Sequence, residues 1–233
     1  MHISGLQKMT LLDYPVKVAC TVFLPGCNFR CPFCHNGQLL EGKQDVLMDD
    51  QELLTFLGKR KGLLDGVCIT GGEPTLQPEL ASVIAGIKAM GFAVKLDTNG
   101  SHPEVLKDLV SRNLLDYVAM DIKNSPDAYG QTTGANVHLQ LIEESIRFLT
   151  EEHVDYEFRT TVVDQLHDSA SILQMGRWVS SLAPEGKVKR WFLQPFVDRD
   201  TVLFSGLCAP EAARMSDFVE SLCPFTKEIT IRG

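Results

Sequence analysis

The sequence predicts an α/β fold made of six consecutive strand–helix units, an incomplete (β/α)6 barrel with parallel strands and outer helices. Three observations predict it. Short apolar, β-branched runs alternate with longer segments of helical character between residues 18 and 222. No repeat, low-complexity tract or linker divides the 233 residues, so residues 1–233 are expected to form one domain. The chemically suggestive motifs also recur just after the apolar runs, and parallel strands gather functional residues at their C-terminal ends.

Taken in order, residues 18–24 read as a buried strand that runs into a cysteine-rich loop. Residues 50–59 read as a helix with acids at its start and bases at its end, matching the macrodipole. A short apolar strand at 66–70 precedes a helix at 78–90 that Gly91 stops. Strand 93–97, helix 103–112 and strand 117–122 follow, then helix 137–152, a β-branched strand at 156–163 and helix 169–182. Strand 190–193, helix 210–222 and a last strand at 228–232 follow. The core is expected over about 16–196, with a C-terminal helix and strand within 209–232.

Hydrophobic residues make up 44% of the chain and the net charge is −8. That balance suits a globular protein and argues against a broad nucleic-acid surface. The basic runs Lys59-Arg60-Lys61 and 187–190 read as solvated loops or helix ends. No apolar run approaches membrane-spanning length, and the N-terminus lacks the basic and apolar regions of a secretion signal. Seven cysteines, an odd number with three clustered, point to a reducing cytoplasm over a disulfide scaffold.

The clustered three lie in Cys27-Asn28-Phe29-Arg30-Cys31-Pro32-Phe33-Cys34. Thiolates of Cys27, Cys31 and Cys34 at C-x3-C-x2-C spacing can hold three irons of a [4Fe–4S] cubane and leave the fourth iron open. Electron-carrying clusters usually have four cysteine ligands. The alternative is a zinc site completed by His35, but structural zinc normally draws a second ligand pair from another segment and no such Cys/His pair appears. Cys20 and Cys68 fall in strands and read as small buried apolar residues. Cys208 and Cys223 are far apart in sequence and form no second cluster run. Trp178 and Trp191 read as packing residues.

Asp13-Tyr14-Pro15 and the stretch Phe23-Leu24-Pro25-Gly26-Cys27 through Cys34-His35-Asn36 resemble the opening of a radical S-adenosylmethionine (SAM) enzyme. Within that superfamily the Cys-His-Asn ending and the chain length resemble the glycyl-radical-enzyme activases. The anaerobic ribonucleoside-triphosphate reductase branch is favoured, with the pyruvate formate-lyase branch as a relative. The resemblance covers residues 12–195. It implies a radical SAM barrel, one [4Fe–4S] cluster, SAM, a glycyl-radical partner enzyme and a low-potential donor such as flavodoxin or ferredoxin. It also gives Phe33 the aromatic position near adenine, where a plain core role is the alternative.

Later motifs fall in the family's order. Gly71-Gly72-Glu73-Pro74 resembles the segment that holds SAM's amino group, although Gly-Gly before a helix also serves as a plain turn. Asp97-Thr98-Asn99-Gly100 resembles the activases' Asp-Thr-Asn-Gly, which lies against SAM and, through its first two residues, a monovalent cation; Asn-Gly alone is a turn signal. Asp121-Ile122-Lys123 resembles the family's Asp-x-Lys, and strand alternation points Asp121 and Lys123 to one face. An ion pair at a strand end is the alternative. Arg159 lies in an otherwise apolar strand, where it needs a buried anion, and the resemblance makes it a SAM contact. Pyruvate formate-lyase activating enzyme has a histidine near the end of the sixth strand where this chain has Val197, and Gln194 is a candidate replacement. A radical SAM enzyme acting on a small molecule, like 7-carboxy-7-deazaguanine synthase, is the rival reading, and a non-catalytic iron–sulfur or zinc module the second.

Overall fold

The structure is a computed structural model and describes residues 1–42 and 46–232. Two compact units emerge, one from residues 1–28, 38–98 and 104–118, the other from residues 29–37, 99–103 and 119–233. Both follow the predicted alternation, with parallel strands separated by helices. Among the described residues no helix is long and apolar enough to cross a membrane.

In the first unit, strands β1 (His2–Ile3) and β4 (Met48–Asp49) pair antiparallel. Strand β2 (Gly5–Thr10) lies antiparallel to β3 (Ala19–Leu24), which runs parallel to β5 (Gly66–Gly71), itself parallel to β6 (Ala93–Thr98). Strand β3 is buried at five of its six positions, as a strand covered on both faces must be. Helix α1 (Asp50–Gly58) opens with a capping box in which Asp49 accepts from the Glu52 amide (2.8 Å) and Glu52 accepts from the Asp49 amide (3.0 Å). Helices α2 (Leu80–Ala89) and α3 (Pro103–Ser111) follow β5 and β6. Strand β7 (Tyr117–Asp121) has its first two residues here, where Tyr117 packs with Tyr14 and Ala19. The first strands were not predicted from sequence: β2 exposes three consecutive residues, Gln7–Met9, so it lacks the alternation that marks a half-buried strand.

In the second unit, helices α4 (Tyr129–Thr133) and α5 (Leu139–Thr150) precede β8 (Asp155–Val162), α6 (Ser169–Ser181), β9 (Val188–Pro195), α7 (Ala212–Leu222) and β10 (Thr226–Ile231). Strand β9 lies parallel to both β8 and β10. Trp191 is fully buried, sits edge-on to Phe158 and donates from Nε1 to Thr160 Oγ1 (3.0 Å). Trp178 donates to Glu143 (3.0 Å) and meets Tyr129 edge-on. Both tryptophans are packing residues, as their sequence context suggests.

Candidate active site

In the first unit the end of β5 is built against the entrance of the cysteine loop. The Gly72 amide donates to the Leu24 carbonyl and the Glu73 amide to the Gly26 carbonyl, each at 2.8 Å. Neither glycine can be replaced without collision. Gly71 has φ +122°, and a Cβ there would lie 2.3 Å from the Leu24 nitrogen; a Cβ on Gly72 would lie 2.0 Å from the Gly26 oxygen. The pair therefore lets two backbones touch beside Cys27.

Glu73 is buried, and its Oε1 accepts from the Thr75 amide (3.1 Å), the Thr75 hydroxyl (2.5 Å) and the Thr98 hydroxyl (2.8 Å). Such donors offset the cost of burying a carboxylate. Asp97, also on β6, is ion-paired with Lys95, a lysine only 1% exposed whose Nζ lies 3.8 Å from Cys68 Sγ. Sequence reasoning missed Lys95, although a lysine two residues before an aspartate in an apolar strand points to the same face. Cys20 and Cys68 are fully buried and form no disulfide, and burial pushes the Cys20 thiol up to about 12.

In the second unit Cys31 and Cys34 form a turn closed by the Cys34 amide donating to the Cys31 carbonyl (3.1 Å), and Phe33 between them is buried. Asp121 and Lys123, at and just past the end of β7, come together with Arg159 in the middle of β8. Arg159 Nε donates to Asp121 Oδ1 (2.9 Å) and Lys123 Nζ to Asp121 Oδ2 (3.0 Å). Burial disfavours the charged carboxylate, but the charges of Arg159 and Lys123 outweigh it and hold Asp121 at about 2. Burial likewise opposes the Lys123 charge, yet Asp121 and the neighbouring Cys31 side chain hold the ammonium protonated beyond its usual range. Burial raises the Cys34 thiol, and Lys123 counters part of that rise. The triad thus sets a positive side chain close to two of the three clustered cysteines.

Asn99 Oδ1 accepts from the Ser101 amide (2.9 Å) and hydroxyl (2.6 Å), so its visible work is to shape the turn at Gly100 (φ +75°). Gln194 is partly buried on β9 opposite Thr161, and Val197 is exposed. His167 was also missed from sequence: buried, it donates from Nε2 to the Lys123 carbonyl (2.9 Å), while Asn124 donates to the Leu166 carbonyl (2.8 Å). These bonds hold the segment that follows β7. No local pattern could reveal His167, because its partner lies 44 residues away.

The sequence matches the radical SAM superfamily over residues 21–170. A Methanocaldococcus jannaschii protein named as a glycyl-radical enzyme activating enzyme is 36% identical over 184 residues, which is 76% of this chain and 75% of that protein. A Thermococcus kodakarensis protein named as a GTP 3′,8-cyclase is 30% identical over 61% of this chain but only 46% of its own length. Among solved structures, a domain of pyruvate-formate lyase-activating enzyme from Bacteroides vulgatus superposes with a TM-score of 0.58 at 20% identity, covering 72% of this chain and 99% of that domain.

Proposed function

This chain belongs to the radical SAM superfamily, and from that premise we propose that it is an activase that installs a glycyl radical on a partner enzyme. The superfamily implies a [4Fe–4S] cluster and SAM, and the residues present fit both. Cys27, Cys31 and Cys34 form no disulfide, and the Lys123 ammonium beside Cys31 would offset the negative charge of thiolate ligands. When bound, the two would supply one-electron reductive cleavage of the SAM sulfonium, the electron coming from an external low-potential donor, and the hydrogen abstracted in consequence would be the Cα hydrogen of a glycine in the partner enzyme.

The protein's part is binding and orientation. The three cysteines would ligate three irons. Glu73, held by Thr75 and Thr98, and the backbone at Gly71 and Gly72 would receive the SAM amino group. Lys123 and Arg159, organised by Asp121, would face a carboxylate, and Phe33 would lie by the adenine. Asn99 would act through its turn. No further catalytic side chain is assigned. Asp97, whose Oδ1 pairs with Lys95, and Thr98, whose hydroxyl donates to Glu73, are the residues that would face a monovalent cation.

One observation carries the activase reading over other reactions of the superfamily. The likeness to the M. jannaschii protein spans three quarters of both chains, whereas the cyclase match spans under half of that enzyme. We favour anaerobic ribonucleotide reductase as the partner, with flavodoxin or ferredoxin as the electron source. We read residues 1–233 as a single radical SAM domain working in a reducing cytoplasm that keeps its thiols reduced. The cyclase likeness keeps a small-molecule substrate as the second reading. Mixing reduced, reconstituted protein with SAM and anaerobic ribonucleotide reductase should yield methionine, 5′-deoxyadenosine and the doublet electron-spin signal of a glycyl radical. A Gly→Ala change at the partner's radical site should remove the doublet. Silence with several glycyl-radical enzymes, together with SAM cleavage driven by a small molecule, would transfer the assignment to the second reading.

A further inference from the structure

His35 follows Cys34 directly, and its ring stacks on Phe196 with centroids 5.6 Å apart and planes 17° apart. Its Nε2 lies 2.7 Å from the Val197 carbonyl oxygen. A carbonyl only accepts, so the proton sits on Nε2 and His35 donates. The Thr201 hydroxyl donates to the His35 carbonyl (2.6 Å), and the Phe204 amide donates to the Pro32 carbonyl (3.2 Å). Gly37 completes the contact: a Cβ there would lie 2.5 Å from the Thr201 carbonyl oxygen and 3.2 Å from Leu203 Cδ2. The loop after β9 is itself anchored at its base, where the Phe196 amide donates to the Val162 carbonyl (3.0 Å). All these residues belong to the second unit.

We propose that residues 196–204 are a strap fastened by His35 across the cysteine segment 32–37, which makes His35 a positioning residue for Cys34. Residues 196–204 lie outside regular secondary structure, and Val197 and Phe204 are about half exposed. The bonds to His35 and Pro32 and the close fit over Gly37 join them to the cysteine segment, beside the Phe196 anchor at the base of the loop and the Cys34–Cys31 bond within the turn. Segments joined in this way loosen together when a joining tie is cut. The inference rests on the proposed function only in taking Cys34 as a cluster ligand.

Hydrogen exchange of the full-length apoprotein tests it without the cluster. His35→Ala and Gly37→Ala should each speed exchange roughly tenfold or more in peptides spanning 29–37 and 197–206. Tryptic cleavage after Arg199 should rise with it. His35→Gln, which retains an amide donor toward Val197, should recover part of the protection. If an alanine variant fails to fold, Thr201→Val removes a single bond and should still speed exchange in both segments. In reconstituted protein His35→Ala should bind about four irons yet show an altered electron-spin signal of the reduced cluster. Wild-type exchange in every variant overturns the strap. Loosening of 197–206 alone, with 29–37 unchanged, overturns the positioning role. Failure of wild-type protein to take up iron would sink the functional reading while the apoprotein result still decides the strap.

Discussion

Asp121→Asn offers the most quantitative test of the charged triad. The Asp121 carboxylate takes one bond from Arg159 and one from Lys123, and its pKa falls from an ordinary 3.8 to about 2. At about 1.4 kcal/mol per pKa unit, that shift corresponds to about 2–3 kcal/mol of folding free energy. The folded-state pKa is the lower one, so this stability is fully present above about pH 4 and is lost as pH falls through 4 toward 2. The substitution adds a second cost, because Lys123 and Arg159, with side chains 15% and 14% exposed, remain charged beside a neutral amide. Removing one member of a buried ion pair typically costs about 3–5 kcal/mol, and partial exposure places this case near the lower end. We expect a loss of about 3 kcal/mol in urea unfolding of the apoprotein at pH 7, or about 6–12 °C in melting temperature for a chain of this size. The gap between variant and wild type should narrow as pH is lowered from 4 to 2. A difference under about 0.5 kcal/mol at pH 7, or one that stays constant across that pH range, would refute the account of the triad.

Further predictions concern ligation, cofactor binding and backbone strain. Replacing Cys27, Cys31 or Cys34 by Ala should abolish the roughly four irons and four sulfides bound on anaerobic reconstitution, while Cys208→Ala and Cys223→Ala should leave them intact; stoichiometric zinc in place of iron would reverse this. Glu73→Ala should preserve iron content but weaken SAM binding, measured by calorimetry, by about tenfold or more, as expected for a lost charge-assisted hydrogen bond. Unchanged affinity would remove Glu73 from the SAM site. Val16 is fully exposed at φ +55°, a conformation that costs a β-branched residue about 1–2 kcal/mol. Val16→Gly should therefore raise stability by about 0.5–1 kcal/mol after glycine's entropy cost, and a lower melting temperature would contradict the strain.

Much of the fold was legible in the sequence because its signals are local. Apolar β-branched runs, helical periods and glycine stops depend on neighbours a few residues apart, and they located β3, β5 to β9 and the long helices to within a few residues. The spacing of Cys27, Cys31 and Cys34 was equally plain, since ligand spacing in a short loop is set by covalent geometry. Gly71–Glu73, Asp97–Asn99, Asp121–Lys123 and Arg159 stood out by their resemblance to the family's motifs, and the alternation of strands and turns set each on or just after a strand. The tertiary structure alone decided which charges meet. Buried Glu157 is matched by Arg232, 75 residues away, which also lies 3.6 Å over the Phe192 ring. His167 supports Lys123 from 44 residues away, and His35 binds the Val197 carbonyl across 162 residues. Such bonds are made by side chains or carbonyls whose own neighbourhoods carry no periodic or compositional mark. They exist because parallel strands with helical crossovers return distant segments to the same edge, and the chain's local chemistry does not encode which of the possible partners will be waiting there.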